Sequence, residues 1–392
     1  MSGPLDGIRA VDLSQVIAGP YGTALLSYAG VDVIKVEAPG GESGRNLAGG
    51  FFGYNRGKRA ICIDLQKPEG QAVFHRLARD WADVIVENFR PGVVERLNVD
   101  YKTIASLNPR IIYVSATAFG SSGPYSHRPG YDPLLQAMTG VERAQGGRHN
   151  PPVFLRIAIT DLTTGLMHAA AIAMALYHRE RTGRGQHVKA SLMRSGIFIN
   201  GDAFTRYPGR PARILPDAGQ HGLGPLDRMY ETKDGWIFIL VEDDQGRWEK
   251  LCSVPGLGEA LADGRFRTPA DRAQHADDLA AVLEKAFRSD SAEAWLAKLE
   301  AAGVPAAPVI EGYGRQFFED VQPIVNRYTV FGEHPERGHM EQSGNYIGYS
   351  LTPTSQEGRT APLLGQHTDE IMAELGYSEA EVASLRAAGA IA

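Results

Sequence analysis

The sequence predicts an α/β protein in which a parallel sheet carries helices on both faces and a second, smaller domain follows. Three observations predict it. Strand-like and helix-like segments alternate through the first two hundred residues, the pattern of a sheet wound through crossover helices. The chain has 392 residues, more than one hydrophobic core organises. Around Tyr207–Leu226 the composition shifts to proline and glycine ("YPGRPARILPDAGQHGLGPL"), which reads as a linker.

The elements follow in order. Ile8–Ser14 ("IRAVDLS") is a short strand pattern, and Gly19–Gly30 is a helix that closes on glycine. Val31–Glu37 ("VDVIKVE") is strongly β, and a polar loop with several glycines runs from it to Lys58. Ala60–Leu65 is a strand, and "KPEGQAVFHRLARD" is a helix with Pro68 in its first turn. Ala82–Asn88 and Arg110–Gly120 continue the series. In such sheets ligands bind beyond the carboxyl ends of the strands, so the loops after Leu13, Glu37, Leu65, Glu87 and Thr117 matter most. The strongest helix runs from Asp161 to about Arg181, with a cap residue, an apolar interior, basic residues in its last turn and glycines at its end. It is apolar nearly all round, which predicts burial. "QHVKASL" then returns as a strand. Beyond the linker, "RMYETKDGWIFILV" reads as a hairpin around Lys233-Asp234-Gly235, with helical patterns through Ala302. Val304–Ile310 leads out of this region, and the tail carries two amphipathic helices.

The net charge is −6, so there is no global basic field for nucleic acid or a membrane surface; a local basic pocket for a phosphorylated ligand is compatible with it. Cys62 and Cys252 are far apart and form no CxxC or disulfide framework, as expected in a reducing compartment. The opening "MSGPLDGIRAVDLS" has no signal-peptide pattern, and the apolar stretch Ala169–Tyr177 is too short to span a bilayer. A soluble, cytoplasmic protein is expected.

Familiar nucleotide and hydrolase signals are missing. "GYNRGKR" (53–59) lacks phosphate-loop spacing, and "GQHGLG" (219–224) sits in the linker rather than after a strand. There is no HExxH or GxSxG, and His334 and His339 have no further ligand in their neighbourhood.

Five separated stretches carry a resemblance. They are "GPYGTALLSYAGVDVIKVEAPGGES" (19–43), "NRGKRAICIDLQKPEG" (55–70), "ENFRPGVVERL" (87–97), "TGRGQHVKASL" (182–192) and "APLLGQHTDEIMAELG" (361–376). Together they resemble the family III CoA-transferases, the CaiB/BaiF family, in order and spacing over nearly the whole chain. The resemblance implies a Rossmann-like large domain built from both chain ends, a smaller inserted α+β domain, and an interlocked homodimer. The expected boundaries are 1–205 for the first part of the large domain, 206–224 for a linker, 225–310 for the small domain, and 311–392 for a linker and the return to the large domain.

The implied substrates are an acyl-CoA donor and a carboxylate acceptor, with no permanently bound cofactor and no metal. CoA carries phosphates, so a binder needs positive charge and backbone N–H groups at loop ends. "NRGKR" offers Arg56, Lys58 and Arg59, and "ENFRPGVVER" offers Arg90 and Arg96; solvated surface charges would look the same. By motif match, Ile17, Ala18, Asn88, Phe89 and Arg90 line the CoA channel, and Arg128, Gly130 and Tyr131 form the wall near the thioester.

"AITDLTTG" (158–165) places Asp161 where the family's nucleophile stands. The local pattern alone is that of an N-cap. The resemblance implies more: attack on the acyl-CoA thioester, an aspartyl anhydride, then an aspartyl–CoA thioester that passes CoA to the acceptor. A cap position would keep the carboxylate ionised in the helix dipole, with backbone N–H groups close by for an oxyanion.

The family also contains α-methylacyl-CoA racemases, whose "GHD"-like stretch carries a histidine. Here Tyr131 stands in its place, in "PGYDPLLQAMTG" (129–140). An unperturbed tyrosine titrates near about 10 against about 6.5 for histidine, which makes it a poor proton shuttle at neutral pH and favours transfer. A non-catalytic CoA-binding subunit is a further alternative. Asp132 either orients the site or caps its own helix. The 217–226 loop, with Gln220 and His221, stands where some transferases close a glycine lid. Ile17, Tyr131, Met138 and that loop are candidates for the acceptor pocket. Ile17 and Phe51–Phe52 suggest an acceptor less polar than a small dicarboxylate.

Overall fold

The computed structural model describes residues 3–47, 50–242 and 244–392. The chain divides into two compact units, one formed by 1–139, 155–204 and 317–392, the other by 140–154 and 205–316.

The first unit holds six strands: β1 (Arg9–Asp12), β2 (Asp32–Glu37), β3 (Arg59–Cys62), β4 (Val84–Glu87), β5 (Ile112–Thr117) and β6 (Gln186–Ser191). All neighbours pair in parallel, in the order β3-β2-β1-β4-β5-β6. This is the doubly wound order, and its switch point lies between β1 and β4. The strand period of two sorts the core. Val11, Ile34, Ile61 and Ile85 point to one face, and Ala10, Val33, Val84 and Val86 to the other. Because both faces are covered, the apolar residues of the central strands run consecutively (Ala10–Val11, Val33–Ile34, Val84–Val86), with buried Asp12, Lys35, Glu37 and Glu87 towards their carboxyl ends.

On the first face lies helix α2 (Pro68–Asp80), through Val73, Phe74 and Leu77. Ile371, Met372 and Val382 of the two C-terminal helices join the same core, so the chain end does return to this sheet. On the other face, helix α1 (Ala18–Tyr28) packs along helix α4 (Ile159–Thr182). Helix α3 (Asp132–Met138) precedes α4 in sequence, and α5 (Leu192–Ile199) follows β6. The α1–α4 contact requires glycine. A Cβ on Gly22 would lie 2.8 Å from the Gly165 carbonyl oxygen, and one on Gly165 would lie 3.0 Å from the Ala18 carbonyl oxygen.

Helix α4 departs from the expectation of burial all round. Thr164, His168, Ile172 and Ala175 are buried, but Leu166, Met174 and Tyr177 are 56%, 71% and 67% exposed. Its 24 residues are also long and apolar enough, by length and composition, to cross a membrane, which a count over Ala169–Tyr177 alone misses. In this fold it is a half-buried core helix. A hairpin of β11 (Thr329–His334) and β12 (Gly338–Ser343) also belongs to this unit, in a segment read from sequence only as linker.

The second unit carries an antiparallel sheet, β10-β9-β8-β7, from β7 (Gly222–Gly224), β8 (Asp227–Glu231), β9 (Trp236–Leu240) and β10 (Ala306–Val309). The Lys233–Gly235 turn joins β8 to β9 as expected. Tyr230, Ile237, Trp248, Phe287 and Trp295 anchor its core. Two boundaries need correction. Gly140–Phe154 belongs to this unit, not to the first, because Arg148 N–H donates to the Pro216 carbonyl (2.8 Å) and Asn150 Nδ2 to the Ala218 carbonyl (2.7 Å). The 206–224 stretch is likewise part of the unit and contains β7.

Candidate active site

A cavity of about 360 Å³ opens at the switch point. The turn after β1 contributes Gln15, Val16, Ile17 and Ala18, and the turn after β4 contributes Asn88, Phe89 and Arg90. These two turns are laced together. Gln15 N–H donates to Asn88 Oδ1 at 2.8 Å, and Asn88 Nδ2 donates to the Gln15 carbonyl at 2.7 Å. Thr117 at the end of β5, Gly130 and Tyr131 before α3, Leu192 at the start of α5, and Asp161 complete the main walls. No described group accepts the N–H of Ile17 or Ala18, so the first turn of α1 brings free donors to the cavity.

Asp161 is not the cap of its helix. Helix α4 begins at Ile159, its N-cap is Ala158, and Asp161 is the third helical residue. The cap comes from Asp132, the first residue of α3. Asp132 Oδ1 accepts the Thr160 N–H at 3.1 Å and the Thr160 hydroxyl at 2.9 Å, while Gln136 Nε2 donates to its Oδ2 at 2.7 Å. Asp132 is thus fully engaged in orienting the start of α4. No described residue donates a hydrogen bond to Asp161. Burial, with the charge of Asp132 second, pushes the Asp161 carboxyl up to about 7. Desolvation and a neighbouring carboxylate thus work against the ionised form that the helix end was expected to favour.

The "NRGKR" cations do not face the cavity. Lys58 is buried, pairs with Asp12 at 2.8 Å, and donates to the Pro20 carbonyl and Asn55 Oδ1. Burial pushes it down to about 8 against the opposing pull of Asp12. Burial would raise Asp12, but the charges of Lys58 and Lys35 overcome it and hold the carboxyl well below the usual range. Arg56 is buried over the Tyr28 ring (4.7 Å) and donates to the Ser343 carbonyl at 2.6 Å. Arg59 starts β3, at the opposite end of the sheet, and pairs with Asp32, Glu370 and Glu374. Arg96 is exposed and lies outside the cavity lining; so does Arg128, which stacks over the Tyr125 ring at 4.2 Å. Phe51 is buried beneath Arg45, and Phe52 packs edge-on against His334, so neither lines the cavity. In the second unit His221 stacks on Trp236, and its Nδ1 lies 3.2 Å from Arg228 Nη2.

Sequence reading missed Gln15 and Val16, in the loop after β1, and Thr117, the last residue of β5, although both strand ends were among those it had singled out. It also missed a second cavity of about 320 Å³ that shares Phe89, Arg90 and Thr117 with the first. There Ser115 Oγ and His187 Nε2 lie 2.8 Å apart, and burial pushes Glu87 up to about 7 and His187 down to about 4.

An open parallel sheet with a ligand-sized cavity at its switch point, lined by one carboxylate and by residues with free N–H groups, defines a Rossmann-type α/β protein with a binding site at the carboxyl ends of its strands. The chain belongs to CoA-transferase family III, whose sequence profile matches residues 5–368. It is 33% identical to succinyl-CoA:glutarate CoA-transferase of Mus musculus, over 99% of this chain and 90% of that one. It is 36% identical to acetyl-CoA:oxalate CoA-transferase of Acetobacter aceti, over 97% of both. A crystal structure of a CaiB/BaiF family protein from Brucella suis superposes with a TM-score of 0.85 at 32% identity, covering 96% of this chain and all of that one. The chain is accordingly an acyl-CoA:carboxylate CoA-transferase, with CoA thioesters as substrates.

Proposed function

We propose that Asp161 is the covalent nucleophile of CoA transfer. The observation that carries this reading is that Asp161 is the one carboxylate lining the switch-point cavity among the described residues. Its Oδ attacks the donor thioester carbon, the C–S bond breaks, and CoA leaves as a thiolate from an aspartyl anhydride. The thiolate attacks the Asp161 acyl carbon, the anhydride C–O bond breaks, and the donor acid departs as its carboxylate. The acceptor carboxylate then attacks the aspartyl–CoA thioester, forming a second anhydride and freeing the thiolate. Attack of that thiolate on the acceptor's carbonyl yields the new acyl-CoA and returns Asp161 as a carboxylate.

Three features support the sequence of steps. A carboxylate whose pKa is raised by burial is a stronger base, and so a better nucleophile, than one in water. The Ile17 and Ala18 N–H groups are donors available to a tetrahedral oxyanion. Asn88, Phe89, Arg90, Gly130 and Tyr131 wall a channel that retains CoA, with exposed Arg90 and Arg96 available to its phosphates and Arg128 further out, so the thiolate acts at high effective concentration. The relatives' names pair acyl-CoA donors with glutarate and oxalate, so short dicarboxylates are the first acceptors to test. With Phe51 and Phe52 outside the cavity, Ile17 alone speaks for a less polar acceptor. The exposed apolar side of α4, with Phe198 on α5 (67% exposed), supports a homodimer that covers it.

The test is hydroxylamine trapping during incubation with acyl-CoA, read by peptide mass spectrometry. A transferase of this mechanism gives a hydroxamate at Asp161 and loses activity; a CoA binder or a racemase gives neither. Full transfer activity in Asp161→Ala would falsify the mechanism.

A further inference from the structure

The turn between β1 and α1 is held in a conformation that its own residues disfavour. Val16 has φ of +70°, in the left-handed region, where a β-branched residue is strained because its Cβ crowds the neighbouring carbonyl. Such strain persists only where the surroundings impose it, and it concentrates at functional sites. Here the surroundings are specific. Glu42 Oε2 accepts the Val16 N–H at 2.8 Å and the Gly44 N–H at 3.0 Å, and Glu42 Oε1 pairs with buried Lys35 at 3.0 Å. Lys35 Nζ in turn donates to the Ser14 carbonyl at 2.9 Å. Gln15 is tied through both backbone groups to Asn88. Each of the three residues before Ile17 is therefore gripped by a side chain from another segment. Ile17 and Ala18, with their free N–H groups, come directly after.

We propose that Glu42 is a positioning residue: through the Val16 N–H it holds the left-handed turn, and the turn sets the Ile17 and Ala18 N–H groups against the acyl group carried by Asp161. This inference rests on the covalent reading of Asp161. Glu42 is 5% exposed and does not line the cavity, so it acts through Val16 and touches no substrate. Its charge suits the task. Both N–H groups share Oε2 while Oε1 faces the buried ammonium of Lys35; an amide in this place sets its NH2 donor against that ammonium, or turns its oxygen to Lys35 and gives up the two N–H groups.

The experiment compares Glu42→Gln, Val16→Gly and the double variant. Glycine adopts the left-handed region without penalty, so it keeps the turn when the clamp is gone. Glu42→Gln is expected to lower kcat by about tenfold or more while KM for acyl-CoA stays within about twofold, as for loss of aligned oxyanion donors. Adding Val16→Gly is expected to restore kcat to about the level of Val16→Gly alone. Crystal structures should show residue 16 leaving the left-handed region in Glu42→Gln and keeping it in the double variant. Undiminished kcat in Glu42→Gln, or a loss that Val16→Gly does not repair, overturns the proposal. If Glu42→Gln does not fold, recovery of folded, active protein in the double variant supports it and failure to recover overturns it. If the wild type forms no Asp161 adduct, the covalent reading fails separately, and the conformation of residue 16 in the two structures still decides the clamp.

Discussion

Asp132 caps the helix that carries Asp161: its Oδ1 accepts both the N–H (3.1 Å) and the hydroxyl (2.9 Å) of Thr160. One carboxylate thus orients the other while also raising its pKa. The two effects separate by substitution. Asp132→Asn keeps an acceptor for Thr160 but removes the charge, so the acid limb of kcat/KM against pH should move below about 7, by the smaller part of the shift, since burial is the larger cause. Asp132→Ala removes the cap as well and should cost about 1–2 kcal/mol in urea unfolding. An unmoved acid limb in Asp132→Asn would show that the limb belongs to another group.

Asp161 should be a stability burden at neutral pH. Asp161 has its folded-state pKa raised from 3.8 to about 7, so folding favours the protonated form. Stability therefore falls as pH rises from about 4 to 7 and stays low above that. Asp161→Asn removes the ionising group and should be more stable than the wild type at pH 8 by about 1–3 kcal/mol, with the difference vanishing near pH 4. Urea midpoints at the two pH values measure it; an equal difference at both would place the gain elsewhere.

The large sheet was legible because its central strands hold short consecutive apolar runs bounded by turns, as two-sided burial requires. The place of Gly140–Phe154 was not legible. It is fixed by hydrogen bonds to residues 216–220, remote in sequence. The N-cap misreading has a similar cause. Asp161 is the first acid before an apolar run, but the actual cap lies 28 residues upstream of Thr160, so Ile159 and Thr160 are already helical. Local spacing also cannot say which way a charge points. Arg56, Lys58 and Arg59 are neighbours in sequence, yet one lies over Tyr28, one under the β1 turn and one at the far edge of the sheet.

That division of the basic residues predicts opposite phenotypes. Lys58→Met leaves Asp12 buried without its cation and should cost about 3–5 kcal/mol, because breaking a buried pair strands a charge. Arg96→Ala, at an exposed position, should change stability by less than about 0.5 kcal/mol but raise KM for acyl-CoA. Adding Asp12→Asn to Lys58→Met should recover part of the loss. Urea unfolding and donor-saturation kinetics on the three variants check the assignment. A Lys58→Met variant that is stable but binds acyl-CoA weakly would return Lys58 to the CoA site.

Gly165 lies one turn beyond Asp161 and sets how closely α4 approaches α1. A Cβ there would meet the Tyr21 ring at 2.9 Å and both the Ala18 carbonyl oxygen and the Gly22 amide nitrogen at 3.0 Å. Two of these three are backbone atoms, so the helices must separate. Overpacking of this kind costs about 1–3 kcal/mol. The effect on chemistry should exceed the effect on folding. Separation moves Asp161 relative to Ile17 and Ala18, which line the same cavity at the start of α1. Backbone contacts this short are relieved by a few tenths of an ångström, a fraction of the misplacement of about 1 Å that costs on the order of a hundredfold in rate, so the loss is about severalfold to tenfold. Gly165→Ala is thus expected to remain folded, to keep its KM for acyl-CoA, and to lose most of its kcat. Loss of stability in proportion to loss of rate, with KM rising together, would mean instead that the glycine pair serves packing alone.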